Sequence, residues 1–414
     1  MTLAPVASAS RYRLIFLAVL MAVYGGLAIW PDIMTVFGVG KLDIWFRDTH
    51  AMLAASDSAQ AGYDPFVKNP YDLSHERHIY SDWWYLLGRM GLDRDDYLWV
   101  GFGVVLAFWL AVVAVLPLHT RRDLWWSLAL CLSPPFWLAV NRANPDLLAF
   151  ALLTLTVPLL MHHRLGMRLL SPWPVALATG LKYFPILGGI ILLRPSGSRR
   201  ENWLRAGVIL VLGGLLVWSL WDDVQNYLDV SWVAHGQFIF GAMATPANYG
   251  WVMDSWLMLG RVTGIGLVVI CVVLPSTIRP VDIREVEMSR LYALMGAALL
   301  AGNFFLTIGY FYKVVFAVWL LPACFDLQQQ QDPLAKQAKW FLGALIAMVW
   351  LEPIMRASDV FWADAVEQSG LVAVRRGTAV MANVLGWVAM VPAVRIMGGY
   401  LRQFWSRPAE GALP

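Results

Sequence analysis

The sequence predicts an all-α polytopic membrane protein that crosses a bilayer about a dozen times, folded as a single integral membrane domain over residues 1–414. Two observations carry that expectation. Of the 414 residues, 59% are hydrophobic and only 14% charged, with a mean hydropathy of +0.59; about a quarter of the residues of a soluble domain are charged. The apolar residues also come in successive runs near the length of a membrane span, separated by polar connections. Little chain remains for a large soluble domain.

The first run, Leu14 to Trp30, follows Arg11 and Arg13, and Trp30, Pro31 and Asp32 offer no small-residue cleavage site. It is therefore expected to stay as an uncleaved first span over 14–38. Further spans are expected at 97–117, 124–140, 147–161, 173–182, 184–193, 204–220, 257–277, 291–308, 312–325, 340–354 and 376–396. Two of these are short. Pro185 follows Lys182 and Tyr183, and proline removes a backbone donor and disfavours helix at the residue before it, so 173–193 reads as a hairpin. With the N-terminus in the cytoplasm, the basic segments HTRRD, HHRLGMR, RPSGSRRENWLR, IRPVDIREVEMSR, QDPLAKQAK and RIMGGYLRQFWSR all face inward, the bias that orients membrane proteins.

The outer face then carries a long first loop, 41–96, and two medium ones, 221–256 and 355–375. A connection that long usually has its own structure and a task. Within it, HAMLAASDSAQAG and SDWWYLLGRMG read as short amphipathic helices on the membrane surface. Asp93, Asp95 and Asp96 of DRDD suit the N-terminus of the helix that follows. Cys131, Cys271 and Cys324 lie in apolar runs without C-x-x-C spacing, so neither a disulfide framework nor a zinc site is indicated. The net charge of +3 is too small to suggest a nucleic-acid partner.

Residues able to carry chemistry gather on the outer side. Asp43 in LDIWFRDTH stands at the outer membrane edge, where a partly desolvated carboxylate becomes a useful general base; a solvated loop carboxylate is the plainer reading. Asp48 follows more than one helical turn later, and D-x-x-x-x-D is not a metal signature. In NRANPDLLAF, turn and capping chemistry accounts for Asn144, Pro145 and Asp146 but not for Arg142. Lys182 lies at the apex of the apolar hairpin, and an intramembrane cation needs a counter-charge, a wet cavity or an anionic ligand. Lys313, beside Tyr310 and Tyr312, is a second such cation, with snorkelling to the interface as the alternative. His235 in the next outer loop can orient a substrate hydroxyl, although a lone His is weak grounds; Asn248 lies in the same loop.

Taken in order, LDIWFRDTH, GYDPF, NRANPDLLAF, GLKYFP and GYFYKVVFAVWLLP resemble the bacterial membrane glycosyltransferases related to the mycobacterial polyprenol-phosphate-mannose-dependent α-mannosyltransferases, over residues 14–325. The resemblance implies a GT-C-type helical bundle in the bacterial cytoplasmic membrane, with both termini cytoplasmic and an active-site cavity on the extracytoplasmic face. It implies a polyprenyl-phosphate sugar donor, a glycolipid or glycan acceptor and no metal or other cofactor. Carried over, the catalytic base is Asp43, and the donor phosphate falls to Lys182, Arg142 or Lys313. Asp48, Asn144 and Tyr183 are candidate substrate contacts, as are His235, Asn248, Tyr310 and Tyr312. One departure is Asn141, where many relatives carry a Glu before the Arg, so the counter-charge of Arg142 is left open.

Fixed cations in a low-dielectric site stabilise the charge that develops on a leaving phosphate, which makes an inverting transfer compatible with these residues. The competing expectation is a transporter or flippase for an anionic or lipid-linked substrate, which also uses broken helices and buried cations.

Overall fold

The structure is a computed structural model, and it describes residues 6–39, 44–194, 198–230, 239–242, 262, 264–266, 269, 284–306, 309–329, 334–362 and 368–406. In chain order its helices are α1 (Val6–Ile29), α2 (Asp32–Val36), α3 (Arg47–Gln60), α4 (Tyr85–Arg89), α5 (Tyr97–Val115), α6 (Arg121–Cys131), α7 (Pro134–Arg142) and α8 (Pro145–Thr154). They continue as α9 (Thr156–Leu160), α10 (Leu165–Leu169), α11 (Pro172–Leu181), α12 (Arg199–Val230), α13 (Arg284–Leu306), α14 (Leu320–Gln329), α15 (Ala335–Trp362) and α16 (Gln368–Ser406). Four 3-10 segments, Asp82–Trp84, Arg94–Asp96, Phe184–Leu193 and Phe311–Trp319, lie between or beside them. The strands β1 (Ile239–Phe240) and β2 (Gly309–Tyr310) pair antiparallel, Ile239 opposite Tyr310.

Among the described residues, six helices are long and apolar enough to cross a membrane: Arg11–Ile29, Arg94–Val115, Arg199–Asn226, Glu287–Leu306, Phe311–Gln329 and Val380–Arg402. A seventh arises if Pro134–Arg142 and Pro145–Leu160 count as one span, bent by 97° at the break between them. The chain is an all-α membrane protein, and the helix ends differ from the hydropathy reading for identifiable reasons. The run at 124–140 is interrupted at Leu132 and Ser133, because Pro134 and Pro135 cannot donate to the preceding turn. At 173–193 the chain makes a ten-residue α11 and a ten-residue 3-10 segment, with Lys182 extended between them (φ −159°, ψ 116°). Most of the run at 257–277 lies outside the described residues.

The chain divides into two compact units. The first comprises residues 1–41, 113–138 and 233–403. Its core is the 3-10 segment Phe311–Trp319, every residue of which is buried, packed with α14 against α13. Irregular backbone survives in an apolar region when protein covers it. The rings of Phe304 and Trp387 meet edge to face at 5.6 Å, those of Phe240 and Phe304 at 5.3 Å, and those of Phe240 and Phe311 at 5.8 Å, each pair contributing about 0.5–1.5 kcal/mol beyond its burial. Trp350 Nε1 donates to the Ala129 carbonyl at 2.7 Å, and the Tyr24 hydroxyl to that of Cys131 at 2.8 Å. Cys131 and Cys324 are buried free thiols; Cys271 lies outside the described residues.

The second unit comprises residues 42–112, 139–232 and 404–414, and so contains the long first loop. The segment expected to lie on the membrane surface forms α3, but nine of its 14 residues are buried. It is an interior element of this unit, tied to α4 and to the Arg94–Asp96 turn. Asp93 and Asp96 form a reciprocal capping box at that turn, the role expected of DRDD, satisfying backbone donors ahead of α5.

Candidate functional site

Two tight turns of the second unit lock together and set the site. After α7 the chain reverses through Ala143 in the left-handed region (φ 42°). Asn144 then caps α8, its Oδ1 accepting from the Asp146 amide at 2.9 Å, with Pro145 at the first helical position; these residue types favour that local start. Phe46, also left-handed (φ 58°), precedes α3. Its amide donates to the Asn141 carbonyl at 2.7 Å, and the Thr49 hydroxyl donates to that of Ala143 at 3.2 Å. Non-glycine residues with positive φ cost free energy and persist when their surroundings hold them. Gly101 of α5 provides room for that hold, since a Cβ there would come within 2.5 Å of the Phe46 ring.

The turns bring four charged groups and an amide together. Arg142 Nη2 lies 2.5 Å from Asp48 Oδ1, and Asn144 Nδ2 donates to Asp48 Oδ2 at 2.6 Å. Lys182 Nζ forms an ion pair with Asp146 Oδ1 and donates to Asn144 Oδ1 at 3.4 Å. Asn144 thus ties the two ion pairs to each other. Asp48, Asn144 and Asp146 are buried, while the side chains of Arg142 and Lys182 keep 26% and 12% exposure. Two cations face two carboxylates, so burial is tolerated only because each charge is matched; removing one partner of such a pair typically costs about 3–5 kcal/mol.

The first loop and the segment after Lys182 each supply one ring of an aromatic wall. Lys182 Nζ stands 5.2 Å from the Tyr80 ring centroid and 5.6 Å from that of Phe184, a favourable arrangement for a partly desolvated ammonium. Tyr80 is placed there by its neighbours. The Ser81 hydroxyl donates to the Gly180 carbonyl, Trp84 Nε1 donates to that of Leu181 at 3.0 Å, and the Trp83 ring occupies the space a Cβ on Gly180 would fill. The Asp82 amide donates to Asp223 Oδ2 at 3.0 Å, and burial raises the Asp82 carboxyl above the usual carboxylate range. His78 Nε2 lies 3.1 Å from the Ser81 carbonyl, and burial lowers its pKa to about 4, so near neutral pH the imidazole is uncharged and can donate.

Of the residues singled out from the sequence, the structure brings Asp48, Arg142, Asn144 and Lys182 into one cluster. The open question about Arg142 is answered by Asp48, far away in sequence. Tyr183 packs with the apolar cluster of Ala176, Leu212, Leu216 and Leu220. Lys313, Tyr310 and Tyr312 belong to the first unit, where Lys313 is buried beside Gly309 and the two tyrosine rings lie 5.6 Å apart. Asp43, His235 and Asn248 lie outside the described residues. Two participants were missed: Asp146, assigned only to turn chemistry, and Tyr80. The signal for Asp146 was the counter-charge that Lys182 requires; Tyr80 had none.

Elsewhere in the second unit, a polar cavity of about 380 Å³ opens between Asp57, Gln60, Tyr71, Asp93, Arg94 and Asp95. Among the described residues no group of three or more His, Cys, Asp or Glu is arranged to hold a metal ion. Comparison of the chain with family models, curated proteins and solved structures found no match.

Proposed function

We propose that the protein is an inverting membrane glycosyltransferase that moves a sugar from a polyprenyl-phosphate donor to a lipid- or glycan-linked acceptor on the extracytoplasmic face. The observation that supports this reading best is the paired-charge cluster, in which Arg142 and Lys182 keep an exposed edge while their carboxylates are buried. An anion arriving at that edge meets two cations already oriented, under an aromatic wall that suits a sugar ring.

In the transfer, the acceptor hydroxyl oxygen attacks the anomeric carbon as the bond from that carbon to the phosphate oxygen breaks. The electron pair leaves with the lipid monophosphate, whose charge Lys182 and Arg142 stabilise. The hydroxyl proton passes to the Asp43 carboxylate. General-base assistance of this kind contributes about 10²- to 10⁴-fold, and attack opposite the leaving group inverts the anomeric centre.

The test is transfer from a radiolabelled polyprenyl-phosphate sugar in proteoliposomes. Asp43→Asn is expected to reduce transfer by at least about 100-fold with the protein still inserted, and Lys182→Ala to raise the donor KM more than the acceptor KM. Normal turnover in Asp43→Asn removes that residue from the chemistry. The 97° bend between α7 and α8 favours a second reading, a transporter with a broken helix at its binding site. That reading predicts movement of lipid-linked sugar across the bilayer with no new glycosidic bond.

A further inference from the structure

The ion pair between Lys182 and Asp146 is unequal in a way that a purely structural bridge does not require. Asp146 is fully buried, and its Oδ2 meets no hydrogen-bond donor among the described residues. A carboxylate held only for stability is ordinarily satisfied at both oxygens. Lys182, by contrast, keeps its exposed edge and shares its ammonium between Asp146, Asn144 and the Tyr80 face. Asp146 also sits in the first turn of α8, where the helix dipole supports a negative charge when its cation is drawn elsewhere.

We propose that Asp146 is an internal competitor for phosphate: it occupies Lys182 in the empty site and yields the ammonium to a lipid monophosphate. The inference rests on the glycosyltransferase reading and adds a role in product release. The sugar-bearing donor is a phosphodiester with one negative charge. The lipid monophosphate left after transfer carries up to two, because its second pKa is about 6. A lone lysine therefore holds product more tightly than substrate. A buried carboxylate that returns to the lysine weakens its hold on both by the same factor and so speeds departure of the spent lipid.

The experiment measures binding of polyprenyl monophosphate and of uncharged polyprenol to wild-type protein, Asp146→Asn and Asp146→Ser in detergent micelles. Both substitutions are neutral, and Asn144 remains at the N-cap of α8 in each. Close charge pairs couple strongly enough that losing the competitor should tighten monophosphate binding by about tenfold or more, leave polyprenol binding unchanged and enlarge the thermal shift produced by monophosphate. Multiple-turnover transfer by Asp146→Asn should then fall relative to the single-turnover rate of the same variant.

Unchanged or weaker monophosphate binding in a folded neutral variant overturns the competitor role while the transferase reading stands. An equal shift for polyprenol also overturns it, since the effect is then on the fold. If wild-type protein binds neither lipid and transfers no sugar, both readings fall.

Discussion

Replacing Asn144 separates the forces that hold the site. The residue is fully buried and makes three contacts: it caps α8 through the Asp146 amide, donates to Asp48 and accepts from Lys182. Asn144→Ser keeps a capping oxygen but cannot reach Asp48, so it loses one hydrogen bond to a charged group, about 1.5–3 kcal/mol. Asn144→Ala loses the cap as well, a further 1 kcal/mol or so; in both variants Asp48 Oδ2 loses the Asn144 donor. Unfolding of purified protein in mixed micelles, followed by tryptophan fluorescence, should rank wild type above Ser and Ser above Ala. The Ser-to-Ala step is expected to be the smaller of the two. If Ala and Ser coincide, the cap contributes nothing; if both match wild type, the cluster is not coupled through Asn144 and the account of the site is wrong.

Two further outcomes test how the loop is held. Gly180→Ala forces a Cβ into the space of the Trp83 ring, so it should destabilise by about 1–3 kcal/mol, as overpacking does, and quench or shift the tryptophan signal; Gly189→Ala, whose nearest neighbour is Val175 at 3.4 Å, should be close to neutral. His78 is held uncharged, with its pKa lowered to about 4 from an ordinary value of about 6.5. An unfolded imidazole takes up its proton first, so this contribution is complete above about pH 6.5 and falls as the pH drops toward 4, by up to about 3 kcal/mol. Protease nicking of the 61–80 segment should rise over that window in wild-type protein and less so in His78→Gln; identical profiles would remove His78 as the cause.

Much of the local structure was legible in the sequence. Pro185 marked the break at Lys182, Asn144 and Pro145 marked the start of α8, and DRDD marked the turn into α5, because each depends on backbone chemistry within a few residues. Pro134 and Pro135 carried the same kind of signal for the interruption of 124–140, and the hydropathy average masked it. The pairing of Asp48 with Arg142 was not legible, since α3 and α7 meet only through tertiary packing and no periodicity records it. The alternation of small, apolar and polar residues in α3 reads as an amphipathic helix, while in the fold both kinds of residue are covered. Asp146 was read as a turn residue because capping already explained it, and one adequate explanation concealed a second role.

The Lys182–Asp146 pair also bears on how the chain enters its membrane. A lone carboxylate or ammonium costs about 2.5–3.5 kcal/mol at the centre of a membrane helix on insertion scales and less toward its ends, and these two charges lie on successive apolar segments, one at the start of α8 and the other just past α11. Neither segment is comfortable in lipid until the other has emerged from the translocon. The two should therefore leave it as a pair, and a nascent chain cut short before Lys182 should be released into the bilayer less readily than one carrying both.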